Sequence, residues 1–165
     1  MKNTRNIIAL ATIVLLGAGC AETAPSNGIQ TTTPSVPAAA ASKRLDLSDS
    51  TLEKVPSSVF SKTDLEELDL SGNRLTGALP AEIRLLERLR VLDASDNAMT
   101  GVPAEIGQLA SLQTLDLSQN ALTGLPLELG NLKNLRRLDL RGNAISQQDL
   151  EAIRTKLPST EILVD

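Results

Sequence analysis

Five segments of this chain carry one pattern, and that repetition limits the fold more than any other feature. Aligned, they begin SKRLDLSDS at 42, LEELDLSGN at 65, LRVLDASDN at 89, LQTLDLSQN at 112 and LRRLDLRGN at 135, with starts 23, 24, 23 and 23 residues apart. A unit this short cannot bury an apolar face alone, so such units stack and share a core. Within each unit the apolar fourth and sixth positions alternate as the inward residues of a strand must. Leu68 and Leu70, Leu115 and Leu117, and Leu138 and Leu140 are examples. Successive strands then lie side by side in a parallel sheet with a continuous aliphatic inner face. Phe60 is the lone aromatic residue, so Leu, Ile, Val and Ala must build that core.

After each strand the chain has to turn, and Asn73, Asn97, Asn120 and Asn143 stand at that corner. A buried amide there can satisfy backbone groups of its own and adjacent turns. The return segments carry a second apolar column: Leu79-Pro80 with Ile83, Val102-Pro103 with Ile106, and Leu125-Pro126 with Leu129. Proline at these points predicts short 3₁₀ or irregular turns in place of long helices.

The motif L-x-x-L-x-L-x-x-N at this spacing resembles the leucine-rich repeat family across residues 42–165. The resemblance implies an α/β solenoid: a short curved parallel sheet, 3₁₀ or irregular convex segments, an asparagine ladder, and a functional surface on the concave strand face. Open solenoid ends need caps. The first unit departs from the pattern, with Ser42 for leucine and Ser50 for asparagine. At the other end residues 146–165 read as a cap. Ser146-Gln-Gln-Asp149 resembles a capping box with Asp in place of Glu or Gln. Leu150, Ile153 and Leu157 follow at helical spacing, Pro158 stops the helix, and Ile162 and Val164 supply a last inward strand pair.

Residues 1–19 read as an export signal. Lys2 and Arg5 precede an apolar run, Ile7 to Leu16, about half the length a membrane-spanning helix needs. Leu16-Gly17-Ala18-Gly19-Cys20 resembles the lipobox of bacterial lipoproteins, with Gly17 where that family usually has Leu. The resemblance implies cleavage before Cys20 and acylation of its sulfur and new amino terminus, and Ala21 in place of Asp points to an outer membrane if the host has one. Several acyl chains, each contributing about 0.8 kcal/mol per buried CH₂, would hold the protein at a bilayer. Residues 20–41 form an Ala/Thr/Pro-rich linker reaching about 25 Å. Loss of Lys2 and Arg5 with the signal takes the net charge from −4 to −6, so the acyl anchor and not the protein surface holds it to anionic lipid.

Composition narrows the function. There is no histidine and a single cysteine, which removes histidine general bases, serine-histidine triads, cysteine-histidine metal sites and internal disulfides. Sixteen basic against twenty acidic residues gives no electrostatic footprint for nucleic acid. The expectation is a non-enzyme without cofactor or metal.

The outward strand positions are the candidate binding face: Arg44, Asp46, Glu66, Glu67, Asp69, Arg90, Val91, Asp93, Gln113, Asp116, Arg136, Arg137, Asp139 and Arg141. Five of these, Asp46, Asp69, Asp93, Asp116 and Asp139, recur at one position and predict a carboxylate stripe. It could serve as a cation site or a proton-sharing pair for hydrolysis. The scaffold reading, in which Asp and Ser knit adjacent turns, is preferred because an array that repeats with the scaffold serves the scaffold. Counted by unit, the face runs from acidic around Glu66 to basic around Arg137, a polarity able to orient a partner. It lacks aromatic anchors, so weak, charge-guided contact helped by membrane confinement fits best. The expected role is a membrane-tethered binding module for a protein or another envelope ligand. A structural envelope lipoprotein and a secreted host-directed effector are the alternatives.

Overall fold

The computed structural model describes residues 43–165. The export signal, Cys20, the linker and Ser42 lie outside the described residues. The described part is a stack of windings. Each winding gives one strand to a six-stranded parallel sheet: β1 (Arg44–Asp46), β2 (Glu67–Asp69), β4 (Val91–Asp93), β6 (Thr114–Asp116), β7 (Arg137–Asp139) and β8 (Glu161–Leu163), in that spatial order. The register repeats without slip, placing Leu45, Leu68, Leu92, Leu115, Leu138 and Ile162 in one row. Leu68 through Leu138 in that row are buried. A second row, Leu70, Ala94, Leu117 and Leu140, lies behind it, equally dry. Each such leucine stabilises the stack by roughly 1.5–3 kcal/mol. Leu45, Leu47 and Leu52 at one end, and Ile145, Ile162 and Val164 at the other, are half-buried because a neighbour covers them on one side only.

The return segments are 3₁₀ turns at Ser57–Ser61, Ala81–Leu85, Ala104–Gln108 and Leu127–Asn131. Each follows a proline (Pro56, Pro80, Pro103, Pro126) whose φ lies between −60° and −72°. That proline's carbonyl accepts the amide of Val59, Ile83, Ile106 or Leu129, tucking a buried aliphatic residue under the turn. The first unit therefore has a full return segment, which its irregular strand motif hides. A second sheet also goes unread in the sequence, a short parallel pair of β3 (Thr76–Gly77) with β5 (Ala98–Met99) just past the asparagine corner.

The asparagine ladder forms at all four corners. Asn120 Oδ1 accepts the Met99 amide (3.0 Å), and its Nδ2 donates to the carbonyls of Ala94 (2.9 Å), Leu117 (3.1 Å) and Ser118 (3.1 Å). Asn97 and Asn143 repeat this set. Asn73 accepts two amides, Ser50 and Leu52, tying down a unit that lacks its own asparagine. Of the four, Asn73 alone is buried; the others are half-buried.

The C-terminal helix α1 (Gln147–Lys156) buries Leu150 and Ile153 over the last winding. The capping box does not form, because the Ser146 amide donates to the Thr123 carbonyl (3.0 Å) and needs no side-chain partner. Asp149 reaches instead across to the preceding unit, where its Oδ2 accepts the Leu125 amide (3.1 Å). Among the described residues no helix is long and apolar enough to cross a membrane.

Candidate functional site

Strand register arranges the outward residues in rows. The row just before the strands holds Lys43, Glu66, Arg90, Gln113 and Arg136. The next holds Arg44, Glu67, Val91, Thr114, Arg137 and Glu161, and the third holds the five aspartates. Thr114 and Glu161 belong to this face but were not among the sequence candidates. Thr114 is uncharged, and Glu161 lies in the cap, where the motif is lost.

The carboxylate stripe exists, but its bonding differs from the expectation. Each aspartate closes its own turn, and among the described residues Asp69 alone of the five also bonds across windings, to Arg44 at 3.3 Å. Asp69 Oδ1 accepts the Ser71 amide (3.1 Å) and hydroxyl (2.7 Å), and Asp93 does the same with Ser95. Asp46 and Asp116 repeat it with Ser48 and Ser118. In the fifth unit arginine replaces that serine. Arg141 donates through Nε to Asp139 Oδ1 (2.9 Å) and through Nη2 to Oδ2 (2.6 Å), while Arg137 closes from the other side at 3.4 Å. Asp139 is 0% exposed as a result and is withdrawn from the accessible face. The hydrogen bond from Arg141 holds its carboxyl below the usual range against the opposing effect of burial, and the Arg141 guanidinium is raised in turn. Asp46, at the other end, is also lowered, chiefly by the Ser48 hydroxyl. Among the described residues no three metal-ligating side chains converge.

Asp139 supports a pH prediction. A carboxylate whose folded pKa is depressed contributes stability above its unfolded pKa and loses it as pH falls through the lower folded value. Asp139→Asn is expected to cost about 2 kcal/mol at neutral pH. The difference should close below the ordinary aspartate value of 3.8, as the wild-type carboxyl takes up its proton. Urea unfolding of both proteins across that range measures it.

Counting charge by unit leaves out the pairing between windings. Glu66 sits between Lys43 (3.1 Å) and Arg90 (3.6 Å) and is held below the usual carboxylate range, first by the Lys43 hydrogen bond. Arg44 reaches Asp46 (3.3 Å), Glu67 (3.8 Å) and Asp69 (3.3 Å). Every acid of the second unit's strand is thereby paired with a cation from a neighbouring winding. Arg137 contacts Glu161 at 3.9 Å. Three groups are left. Arg136 is exposed with no acid within 4.0 Å, and half-buried Asp93 and Asp116 have no cation within that distance, among the described residues. Val91 and Gln113 are half-buried, not fully presented. Val91 lines a shallow hollow of about 190 Å³ with Arg44, Glu67, Leu68, Asp69 and Asp93.

This geometry has known counterparts. A solved leucine-rich-repeat protein of Leptospira interrogans is 48% identical, with TM-score 0.64, over 67% of this chain and 28% of that one. The BIR2 ectodomain from Arabidopsis thaliana is 36% identical, with TM-score 0.57, over 62% of this chain and 55% of that one. A chain of the BIR3–SERK2 complex from the same plant is 40% identical, with TM-score 0.57, over 62% and 56%. This chain thus spans between about a quarter and just over half of each. No curated protein matches it in sequence. The family model for a leucine-rich repeat region matches residues 42–159. With the strand register, the proline-led 3₁₀ turns and the asparagine ladder all in place, the chain belongs to the leucine-rich repeat family.

Proposed function

We propose that this protein is a non-catalytic, membrane-tethered module that offers its concave strand face to a protein or another envelope ligand. An acylated Cys20 holds it at a bacterial bilayer, the outer one where the host has two. The observation that carries the binding role is the set of charges left over after internal pairing. Arg136, Asp93 and Asp116 make no ion pair within 4.0 Å among the described residues, whereas their neighbours are paired within the molecule. Asp93 and Asp116 also close their own turns through Ser95 and Ser118, so exposed, unpaired Arg136 is the charge most open to a partner. The likeness to a chain of the BIR3–SERK2 complex supports a protein partner, and the likeness to the Leptospira protein supports a bacterial setting.

Photo-crosslinking in intact cells from position 113, beside Arg136 on the adjacent strand, tests this. Arg136→Glu is expected to lower capture of the main crosslinked species at least tenfold, with the melting temperature unchanged. An unchanged crosslinking pattern would favour a structural envelope protein. Cys20→Ser in the same strain should move the protein into the soluble fraction, and retention in the membrane fraction would refute the anchor.

A further inference from the structure

We infer that the flank of the second unit, away from the strand face, carries a separate cleft that takes one apolar side chain of an extended peptide. The argument starts from the one irregular spacing in the repeat. Asn73 to Pro80 spans seven positions, where Ser50 to Pro56, Asn97 to Pro103 and Asn120 to Pro126 each span six. The extra residue falls at Gly77-Ala78, where the backbone bulges. Gly77 has φ +72°, and its carbonyl accepts two amides of the third unit, Thr100 (2.9 Å) and Gly101 (3.2 Å).

On the side facing the first unit the bulge leaves a gap. One backbone hydrogen bond, Arg74 to the Leu52 carbonyl (2.9 Å), joins the two return segments before they part. Beyond it lies a cavity of about 180 Å³ lined by Val55, Leu75, Leu79, Pro80 and Met99, with Thr76 and Ala78 at its side. Met99 (1% exposed), Leu75 (3%) and Leu79 (4%) form a dry floor. An apolar cavity of about 150 Å³ is enough to bind benzene, so this one accommodates a leucine or phenylalanine side chain.

Two further features select a peptide over a lipid tail. Thr76 is exposed and stands on the outer edge of β3, and among the described residues none of the first unit's backbone groups bonds to it. An edge strand beside an apolar hole is the arrangement by which extended peptides dock, main chain on the edge and side chain in the hole. The rim carries Glu53 and Lys54, both exposed and without an ion pair within 4.0 Å among the described residues. That rim suits polar main chain and would disfavour an acyl chain.

The protein supplies its own reporter, because Met99 is one of two methionines, the other being Met1. In the full chain labelled at the methionine methyl carbons, the capped peptide Gly-Thr-Phe-Thr-Gly, or its Leu counterpart, should shift the Met99 resonance saturably in the millimolar range. The Gly-centred peptide should bind at least tenfold more weakly. Deleting Ala78 restores the spacing of the neighbouring units, and Val55→Phe fills the cleft from the opposite wall; either change should abolish the shift while unfolding stays cooperative. Arg136→Glu should leave it untouched, which separates this cleft from the strand face. The inference is overturned if the Phe peptide leaves Met99 unmoved, if both cleft variants respond like wild type, or if toluene alone binds as tightly as the peptide.

Discussion

Asn120→Ala is expected to lower the unfolding free energy by about 4 kcal/mol and to break the stack into two less cooperative halves. The side chain joins two windings. Its carbonyl takes the Met99 amide of the winding before, and its amide holds Ala94 there together with Leu117 and Ser118 of its own turn. Alanine leaves the Met99 amide stranded beside a side chain that is 1% exposed. A buried donor without a partner costs about 1–3 kcal/mol, and the lost carbonyl contacts and the void add to it. Because each winding contacts only its neighbours, loss of one junction uncouples what lies on either side. Asn120→Asp is the informative companion. It keeps an acceptor for Met99 but turns an anionic oxygen toward three carbonyls, and it should be at least as damaging. A shallower transition in urea, with separate melting of the two halves, is the signature; a single transition of unchanged steepness would count against it.

Gly107→Ala should cost about 3 kcal/mol, although one methyl group is all it adds. Gly107 lies in the 3₁₀ turn Ala104–Gln108, and a Cβ there would stand within 2.8 Å of the Glu128 carbonyl carbon in the next return segment. A main-chain neighbour cannot swing aside, so the two turns have to separate, and such overpacking costs about 1–3 kcal/mol. Arg84, at the same place in the unit before, is exposed, and Arg84→Ala should change stability by less than about 0.5 kcal/mol. Denaturation of the two variants side by side separates crowding from any effect of helix propensity.

These two sites differ in how readable they are. Asn120 announces itself, because an asparagine recurring at the end of each strand motif has one economical explanation: a corner whose backbone groups need a partner in every winding. Gly107 has no such signature. Arg84 and Gly130 occupy the equivalent places, and nothing in that variation shows that the third and fourth return segments approach within contact of their main chains. The same limit applied to the cap. Ser146 and Asp149 have the spacing of a capping box, but Thr123 and Leu125, more than twenty residues away in sequence, take their hydrogen bonds.

The strand face divides in the same way. The aspartate stripe follows from the repeat period, since residues one unit apart must lie on adjacent strands. Its bonding does not, because whether Asp139 meets solvent depends on the guanidinium of Arg141 folding over it. The pairing of charges along the stack stays hidden for a related reason. Charges were grouped by unit, whereas on a parallel sheet the nearest neighbours of Glu66 are Lys43 and Arg90, one winding away on each side.

The linear chain alone therefore settled the stacking: period, inward leucines, corner asparagines and proline-led returns are each local patterns whose physical meaning does not depend on distant residues. Only the folded molecule decided which charges stay available, which glycine has no room for a methyl group, and where the extra residue of the second unit opens a cleft. Those outcomes are set by contacts between windings, at distances of a few ångströms, to which a periodic pattern is blind.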